Sequence, residues 1–283
     1  MAKQLVWLVT GCSSGFGDEF VRQILSRGDR AVATARKPER IAHLEAVGAA
    51  ILPLDVTDSQ ETIDKTIARA IDIYGRIDVL VNNAGYIVTG AWEDLEYKDF
   101  LAQFETNVFG TIKVTKAVLP HLRQRKEGVL VFIGSRSGWC GDPFCGPYSG
   151  SKFALEGLVE CLRLETEPLG IRTLMIDPGR FRTNFLTVGN NLQISRSQIP
   201  EYAEMSEAFV AALAREDRAQ PGDVAKGVKV IIDLVRKEGC AEGRDVPWRL
   251  PIGTDSYESI KEKCEDTLKV IEEWKDVITG TDY

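Results

Sequence analysis

The chain has 283 residues, of which 44% are hydrophobic and 27% are charged, a balance typical of a soluble globular protein. Its net charge of −7 disfavours nucleic acid as a partner, because an acidic surface repels phosphate backbones. No apolar stretch approaches the roughly 20 residues that a membrane-spanning helix needs, and the N-terminus lacks a signal-peptide pattern. We therefore expect a protein with no nucleic acid partner and no membrane span.

The cysteine and histidine content bears on metals and on the cellular compartment. The six cysteines are scattered, without the short paired spacings of a zinc site, and the only histidines are His43 and His121. We expect no metal site and reduced thiols throughout. Reduced thiols indicate a cytoplasmic protein.

The first part of the chain alternates short apolar runs with helical patterns. The apolar runs predict strands at residues 5–9, 31–34, 50–53, 78–81, 128–133 and 171–176. Because these runs are apolar on both faces, the strands should be covered by helices on both sides. The predicted fold class is therefore α/β: a single-domain, Rossmann-like, doubly wound parallel sheet. Its ligand should bind at the carboxyl ends of the strands.

The alternation stops after Pro178-Gly179. Residues from about 180 to 220 are predicted to form a helical, loop-containing substrate lid, and residues 247–251 an edge strand. An amphipathic helical tail is predicted at about 256–277. No repeat or linker marks a second domain, so we expect one domain over residues 1–283.

A glycine-rich loop joins the first strand to the first helix. Its residues of interest are Gly11, Ser13, Ser14, Gly15, Phe16 and Gly17. Glycines let the backbone approach a bulky anion, and the following helix N-terminus offers free N–H donors. The loop therefore fits a dinucleotide pyrophosphate, with a simple turn as the alternative.

The same loop also matches the Gly-x-Ser-x-Gly nucleophile elbow of hydrolases. That elbow normally lies deep in the sheet, and its histidine comes late in the chain. Here the motif follows the first strand, and the last histidine is His121. The sequence therefore disfavours a hydrolase.

Tyr148 and Lys152 are four residues apart and share one face of a predicted helix. A nearby ammonium favours the phenolate and lowers the tyrosine pKa from its usual value of about 10. The pair can serve as a general acid in reduction and a general base in oxidation, although a surface pair is the commoner meaning of this spacing. Ser135 follows the fifth strand, where its hydroxyl can bind a substrate oxygen. Ser137 is interpreted as a turn residue with Gly138.

Together these residues resemble the short-chain dehydrogenase/reductase family. The resemblance covers about residues 4–184, and more loosely the C-terminal part. The matching motifs are Thr10-Gly11-x-x-x-Gly15-x-Gly17, Asp55-Val56-Thr57, Asn82-Asn83-Ala84-Gly85, Asn107-x-x-Gly110, Ser135, Tyr148-x-x-x-Lys152 and Pro178-Gly179 with Thr183. The resemblance implies an oxidoreductase that moves a hydride between a nicotinamide dinucleotide and a carbonyl or alcohol carbon.

The resemblance also implies catalytic roles. Tyr148 would be the acid/base, Lys152 would lower its pKa and hold the nicotinamide ribose, and Ser135 would orient the substrate carbonyl. Asn107 would anchor a water in a proton relay to Lys152, with a helix N-cap as its alternative role.

The cofactor would contact residues from several motifs. The implied binding residues are Gly11, Ser13, Ser14, Gly15, Phe16, Gly17, Arg36, Asp55, Val56, Asn83, Ala84, Gly85, Tyr148, Lys152, Pro178, Gly179 and Thr183. Asp55 would contact the adenine, Asn83 the adenosine ribose and Thr183 the carboxamide, with a cap as the alternative role of Thr183. Asn82 is interpreted as a structural tie between strands.

The end of the second strand bears on the choice between NADP and NAD. An acidic residue at this point accepts the ribose 2′-OH of NAD, but here the strand ends Ala33-Thr34-Ala35-Arg36. Arg36 can pair with the 2′-phosphate of NADP, so we expect NADP, with NAD less favoured. Against this, Ser14 stands where NADP-preferring members often carry a basic residue, and Arg36 has the alternative of being merely solvated.

The lid region is rich in apolar and aromatic residues, which favours a medium-to-large hydrophobic carbonyl or alcohol substrate. Trp139, Phe144 and Phe181 are candidate pocket walls, with ordinary lid packing as the alternative. Residues 249–253 resemble the tails of uncharacterised microbial and fungal members, which points to a carbonyl reductase of that kind.

Family members commonly pair through the helices after Asn107 and around Tyr148, so a homodimer or homotetramer is expected. The candidate surface residues are Val114, Val118, Leu122, Leu155 and Leu162, for which core packing is the alternative. A cofactor-binding redox sensor or scaffold without turnover is the alternative function, and an isomerase or dehydratase of the same fold is a further one.

Overall fold

The computed structural model describes residues 3–189 and 191–283. The first two residues of the predicted domain, and Asn190 of the predicted lid, therefore lie outside the described residues. In the described residues, no helix is both long and apolar enough to cross a membrane.

Short apolar runs form the strands. Their bounds are β1 Val6–Val9, β2 Arg30–Ala35, β3 Ala50–Pro53, β4 Val79–Asn82, β5 Ile87–Thr89, β6 Gly128–Ile133, β7 Ile171–Pro178, β8 Leu192–Ile194 and β9 Arg249–Ile252. Seven of them form a parallel sheet in the order β3-β2-β1-β4-β6-β7-β9. The strand order reverses between β1 and β4, which is where such sheets bind ligands.

Helices connect and cover these strands. Their bounds are α1 Gly15–Ser26, α2 Ala42–Glu45, α3 Gln60–Tyr74, α4 Tyr97–Phe104, α5 Thr111–Arg125, α6 Gly146–Thr166, α7 Pro200–Glu216, α8 Val224–Arg236, α9 Thr254–Glu273 and α10 Lys275–Thr279. Local signals fix their ends: the Ser59 side chain accepts a hydrogen bond from the Thr62 N–H at the start of α3. Gly75 ends the same helix with a left-handed φ of 74°.

The core has two layers because alternate strand residues point to opposite faces of the sheet. On one face, Trp7 and Val9 pack with α1, α2 and α8. On the other face, Leu8 and Leu80, which are neighbours in the β1–β4 register, pack with α3, α5 and α6. Burying each such side chain contributes about 1.5–3 kcal/mol. The predicted fold class, a doubly wound Rossmann-like sheet, is confirmed.

The predicted oligomer surface is wrong. Val114, Val118, Leu122 and Leu155 are at most 3% exposed and lie in the core between the sheet and α5 or α6. Leu162 packs against the same cluster. Their helical spacing marks the inward faces of these helices, so core packing, the alternative, is correct for them.

The segment after β7 contains a second, smaller sheet. The predicted edge strand is confirmed as β9, which pairs with β7. By contrast, β8 was not expected: it pairs in parallel with β5, Ile87 against Leu192, and α7 follows it. The part of the predicted lid that contains β8 is therefore hydrogen-bonded to the chain that follows β4.

At the amino-terminal edge of the sheet lies a buried carboxylate, Asp29. Its Oδ2 accepts a hydrogen bond from Trp7 Nε1 at 2.9 Å, and its Oδ1 accepts one from the Leu5 N–H at 2.9 Å. The Arg236 guanidinium donates to both oxygens at 2.7–2.8 Å. All of its acceptor oxygens are therefore satisfied.

Asp78 at the same edge is also matched by cations. Its Oδ1 accepts from Arg125 Nη2 at 2.6 Å, and its Oδ2 from Arg76 Nε at 2.9 Å and the Val6 N–H at 2.8 Å. Burial acts to raise the pKa of Asp78, but these hydrogen bonds outweigh burial and lower it.

Candidate functional site

A cavity of about 820 Å³ runs along the carboxyl ends of the strands. It spans the point between β1 and β4 where the strand order reverses. Its volume is in the range of small-molecule and cofactor sites. Seventeen predicted site residues line it: Gly11, Ser13, Ser14, Gly15, Phe16, Arg36, Asp55, Val56, Asn83, Ala84, Gly85, Ser135, Tyr148, Lys152, Pro178, Gly179 and Thr183.

The glycine-rich loop brings its backbone to the cavity wall. Gly11 and Gly15 have φ values of 70° and 58°, a region that side-chain-bearing residues rarely adopt. A Cβ at Gly17 would come within 2.4 Å of the Gly11 carbonyl oxygen. Gly17 does not line the cavity; it packs behind the loop. The loop is thus held tightly at the N-terminus of α1, where free N–H groups suit a pyrophosphate.

Two strand ends lie at the far side of the cavity. Arg36 directly follows β2, is exposed and lines the cavity. Asp55 follows β3, and its Oδ1 accepts hydrogen bonds from the N–H and the hydroxyl of Thr57 at 2.9 and 2.7 Å. In the part of the chain that the structure describes, no carboxylate directly follows β2. The cavity therefore has no acceptor at that position for a ribose 2′-OH.

The segment after β4 is tied to β1 by Asn83, whose Nδ2 donates to the carbonyls of Thr10 and Gly11 at 2.8 and 3.1 Å. The predicted tie between strands at Asn82 is wrong. Its Nδ2 donates to the Thr115 hydroxyl at 3.0 Å and so joins β4 to helix α5. Asn83 therefore positions the loop against the cavity while Asn82 anchors the strand behind it.

Ser135, Tyr148 and Lys152 meet at one end of the cavity. Tyr148 and Lys152 lie on the first two turns of α6, and both are less than 9% exposed. Ser135 follows β6, and its hydroxyl lies near the Tyr148 phenol. The Ser135 Oγ also accepts from the Ser137 N–H at 3.0 Å, which confirms the predicted turn.

Burial is the largest influence on the pKa values of Tyr148 and Lys152. It raises the pKa of Tyr148 to about 12, against a smaller opposing effect of the Ser135 hydrogen bond. Burial also lowers the pKa of Lys152 to about 8, opposed by Glu156 and Asp177. The lowering of the tyrosine pKa expected from Lys152 is absent here. The reason is geometric, since Nζ donates to the Ile133 carbonyl at 2.8 Å and lies 5.8 Å from the centroid of the Tyr148 ring.

Asn107 does not line the cavity, and its predicted alternative as a helix N-cap is wrong. It lies within a π-helical turn, Glu105–Gly110, between α4 and α5. Its Nδ2 donates to the Tyr86 carbonyl at 3.1 Å and to Ser151 Oγ at 3.2 Å, and its Oδ1 accepts from the Tyr86 N–H at 3.2 Å. Behind the cavity, Asn107 thus links the π-helical turn to α6 and to Tyr86, the residue before β5.

The loop after β7 forms another side of the cavity. A Cβ at Gly179 would come within 1.9 Å of Asp255 Oδ1, so only glycine fits this close approach. Thr183 lines the cavity and its Oγ1 accepts from the Phe185 N–H at 3.1 Å. Its alternative role as a helix cap is wrong, because in the described residues it stabilises a turn and no helix begins there.

An apolar chamber adjoins Tyr148. Its members are Ile87, Cys145 and Leu192, with Phe185, Leu186, Ile194, Phe209 and Leu213 packed against them. The sequence indicated an apolar lid but not this grouping, since its members come from β5, the residue before α6, the loop after β7, β8 and α7, which are far apart in the chain. Arg136 and Asp142, an ion pair, also line the cavity.

Of the three predicted pocket walls, Phe181 lines the cavity and packs edge-on against Phe16 at 5.1 Å. Trp139 does not line it, and its ring stacks on the Arg249 guanidinium at 3.7 Å. Phe144 packs against Phe209 at 5.3 Å behind the lining. The alternative, ordinary packing, is therefore correct for Trp139 and Phe144.

Comparisons with known proteins agree with this architecture. A family model described as short chain dehydrogenase matches residues 5–191. An oxidoreductase of Botryotinia fuckeliana, BOA17, is 34% identical over 276 residues, which cover 96% of this chain and 97% of that protein.

Two further similarities are of the same kind. A 3-ketodihydrosphingosine reductase of Bacteroides thetaiotaomicron is 36% identical over 219 residues, covering 77% of this chain and 78% of that protein. The solved structure of a short-chain dehydrogenase from Streptomyces avermitilis is 36% identical, with a TM-score of 0.87 and 99% of both chains covered. This chain therefore belongs to the short-chain dehydrogenase family of oxidoreductases, which interconvert CH–OH and C=O groups with NAD(P).

Proposed function

We propose that this protein is an NADP(H)-dependent carbonyl reductase for medium-to-large hydrophobic substrates. The observation that carries the proposal is the meeting of Ser135, Tyr148 and Lys152 with an apolar chamber at one end of a cofactor-sized cavity. Polar groups that converge at the edge of an apolar pocket favour the turnover of an apolar molecule with one reactive oxygen.

The chain's own residues would handle the proton and the substrate oxygen. The nicotinamide supplies or accepts the hydride when it is bound. Tyr148, with its pKa raised to about 12, stays protonated at neutral pH and donates its proton to the oxygen of a reduced carbonyl. Ser135 donates a hydrogen bond to the same oxygen, and Lys152 holds the nicotinamide ribose. A protonated phenol favours reduction over oxidation near neutrality.

The cavity residues fit a dinucleotide. Gly11 and Gly15 leave room for a pyrophosphate at the N-terminus of α1, and Asp55 and Asn83 would face the adenosine. Asn107 would anchor the relay water, acting from behind the cavity. Arg36 supports NADP over NAD, because its guanidinium follows β2 where the 2′-phosphate would lie.

The substrate would enter the apolar chamber. Ile87, Leu192 and Phe209 offer an apolar surface next to the Tyr148 ring. The Bacteroides relative is named for reducing 3-ketodihydrosphingosine. This name supports a ketone carried on a large apolar molecule.

The unit over residues 1–283 is proposed as one catalytic domain, with residues of about 180–220 as the lid. We also propose a cytoplasmic location, which the six free cysteines support. A homodimer or homotetramer is proposed through other residues than those first expected, since Phe153 and Leu158 of α6 are 42% and 45% exposed.

The test is the oxidation of NADPH, followed by its absorbance, with a series of ketones of increasing apolar size. We expect turnover that improves with apolar size, and a loss of about 10²–10⁴-fold in kcat in Tyr148→Phe. Binding of NADPH, followed by its fluorescence, should be retained in the variant. Tight NADPH binding by the wild type without turnover on the whole series would instead favour the redox sensor or scaffold.

A further inference from the structure

Two buried carboxyl groups lie directly behind Lys152. Glu156 is one helical turn further along α6, and Asp177 belongs to β7; they are 6% and 0% exposed. A Cβ at Gly134 would come within 2.4 Å of Asp177 Oδ1 and 2.9 Å of Glu156 Oε1. These two oxygens therefore face the same small space, and among the described residues neither has a hydrogen-bond partner.

Arg249 of β9 faces the pair from the far side. Its Nη2 lies 2.7 Å from Glu156 Oε2, and its Nε lies 3.1 Å from Asp177 Oδ2. The indole Nε1 of Trp139 donates to the same Asp177 oxygen at 2.9 Å. Arg249 and Lys152 are thus the two cations that flank two carboxyl groups.

The other charged groups near Asp177 and near Tyr148 already have partners of their own. From α9, Ser256 donates to the backbone carbonyl of Asp177 at 2.8 Å, and the Asp255 carboxylate accepts from the Arg180 N–H at 2.8 Å. Around the phenol of Tyr148, the titratable and charged groups besides Lys152 are the Cys145 thiol and the ion pair of Arg136 with Asp142.

Two carboxyl groups this close in a buried site do not both ionise. Burial, followed by the hydrogen bond and charge of Asp177, raises the pKa of Glu156 to about 9. One proton therefore remains on the pair at neutral pH. The pair carries a single negative charge between the two cations, and it opposes the effect of burial on the pKa of Lys152.

We propose that Glu156 and Asp177 share one proton and act together as positioning residues that keep the Lys152 ammonium charged beside Tyr148. Neither carboxyl group lines the cavity, so the pair acts through Lys152 and touches neither substrate nor cofactor. The consequence for catalysis rests on the proposed reductase function, whereas the sharing of the proton does not.

Sharing makes the two carboxyl groups interchangeable as the source of charge. In Glu156→Gln, the Asp177 carboxyl group faces Arg249 and the Trp139 N–H without a competing carboxyl group. In Asp177→Asn, Glu156 ionises because it then faces Arg249 without a competing carboxyl group. Each single variant therefore keeps one negative charge next to Lys152, and only the double variant removes it.

The first measurement is the pH profile of kcat for ketone reduction. Loss of the negative charge lets Lys152 release its proton at lower pH. We expect the alkaline pKa of the profile to move by less than about 0.3 unit in each single variant, and to fall by about 1 unit or more in the double variant. Glu160→Gln, an exposed carboxyl group one turn further on α6, is the matched control and should leave the profile unchanged. A shift of about 1 unit in either single variant, or a wild-type profile in the double variant, would overturn the proposal.

The second measurement needs no turnover. It also avoids the double variant, in which the partly buried Arg249 loses both of its carboxyl partners. Infrared difference spectra of the wild type between about pH 7 and about pH 10 should contain the C=O stretch of one buried carboxylic acid. The band should be missing in both single variants and present in Glu160→Gln. Its absence from the wild type, or its persistence in Asp177→Asn, would contradict the sharing of a proton even if the protein is an active reductase.

Discussion

The two edges of the sheet use the same residue types in opposite ways. At the amino-terminal edge, Asp29 and Asp78 are buried, and hydrogen-bond donors and arginines satisfy their oxygens. At the carboxyl edge, among residues 3–189 and 191–283, Glu156 and Asp177 keep buried oxygens without donors, and the Lys152 ammonium has only a carbonyl at hydrogen-bond distance. One edge has paired charges, whereas the other holds charges whose protonation can change.

The two edges therefore have different roles. The amino-terminal edge contributes to stability, whereas the carboxyl edge contains groups that can take part in proton transfer. A fully paired carboxylate has a lowered pKa and stays ionised, as Asp78 does. A buried group for which burial outweighs the nearby opposite charges has a pKa displaced toward the working range, as Lys152 does at about 8. Displaced pKa values gather at functional sites, and here they gather around the cavity.

The largest effect expected at the carboxyl edge is on activity. Lys152→Met should lower kcat by about 10²-fold or more, because the ammonium proposed to hold the nicotinamide ribose is lost. The same change should raise the free energy of unfolding at pH 7 by about 1–3 kcal/mol, since it removes a buried charge. Steady-state kinetics and urea unfolding measure the two effects.

The control for this variant is Lys116→Met, an exposed lysine on α5, which should change neither quantity. A lower stability of Lys152→Met would mean that the fold satisfies this ammonium fully. The contrast between the two edges would then be lost.

At the amino-terminal edge we expect a large loss of stability and little effect on activity. Asp78→Ala leaves Arg125, Arg76 and the Val6 N–H without their acceptor and should lower the free energy of unfolding by about 3 kcal/mol. Because the pKa of Asp78 is lowered, its stabilisation is complete above the ordinary carboxyl value of 3.8 and is lost as the pH falls below it. The difference between variant and wild type should therefore shrink in acid.

The kcat of Asp78→Ala should stay within about twofold of the wild type, because the edge is distant from the chemistry. Glu127→Ala removes an exposed carboxylate at the same edge and should cost less than about 1 kcal/mol. A large loss of kcat in folded Asp78→Ala would show that the two edges are coupled.

The smallest effect concerns a cation at the carboxyl edge whose proposed partner is the cofactor. Arg36→Ala should reduce the preference for NADP over NAD, measured as the ratio of kcat/KM values, by about tenfold. Lys37→Ala, the exposed neighbour, is the matched control and should change the ratio much less. An unchanged ratio in Arg36→Ala would remove the argument for NADP.

The sequence predicts this fold well because each central strand is covered on both faces and so forms a continuous apolar run, as in β1 and β4. Tyr148 and Lys152 were recognisable because their spacing is that of one helical turn. The glycine-rich loop was recognisable because positive φ values at Gly11 and Gly15 require glycine.

The remaining features depend on contacts between distant parts of the chain. β8 has three residues and pairs with β5, about 100 residues earlier, so no local pattern marks it. Glu156 and Asp177 meet through the packing of α6 against β7, and a charged residue gives no sign of its burial in sequence. Val118 and Leu122 have the same spacing on a core face as on an oligomer surface, so periodicity alone could not distinguish the two.

The π-helical turn at Glu105–Gly110 has a consequence for insertions and deletions. Such a turn accommodates one more residue than an α-helix over the same rise. Removing a single residue from it would restore regular α-helix, and the side chains that remain in the turn would move to new positions around the helix axis. Asn107 would lose its contacts with Tyr86 and Ser151, so the length of this segment should tolerate change far less than its side chains do.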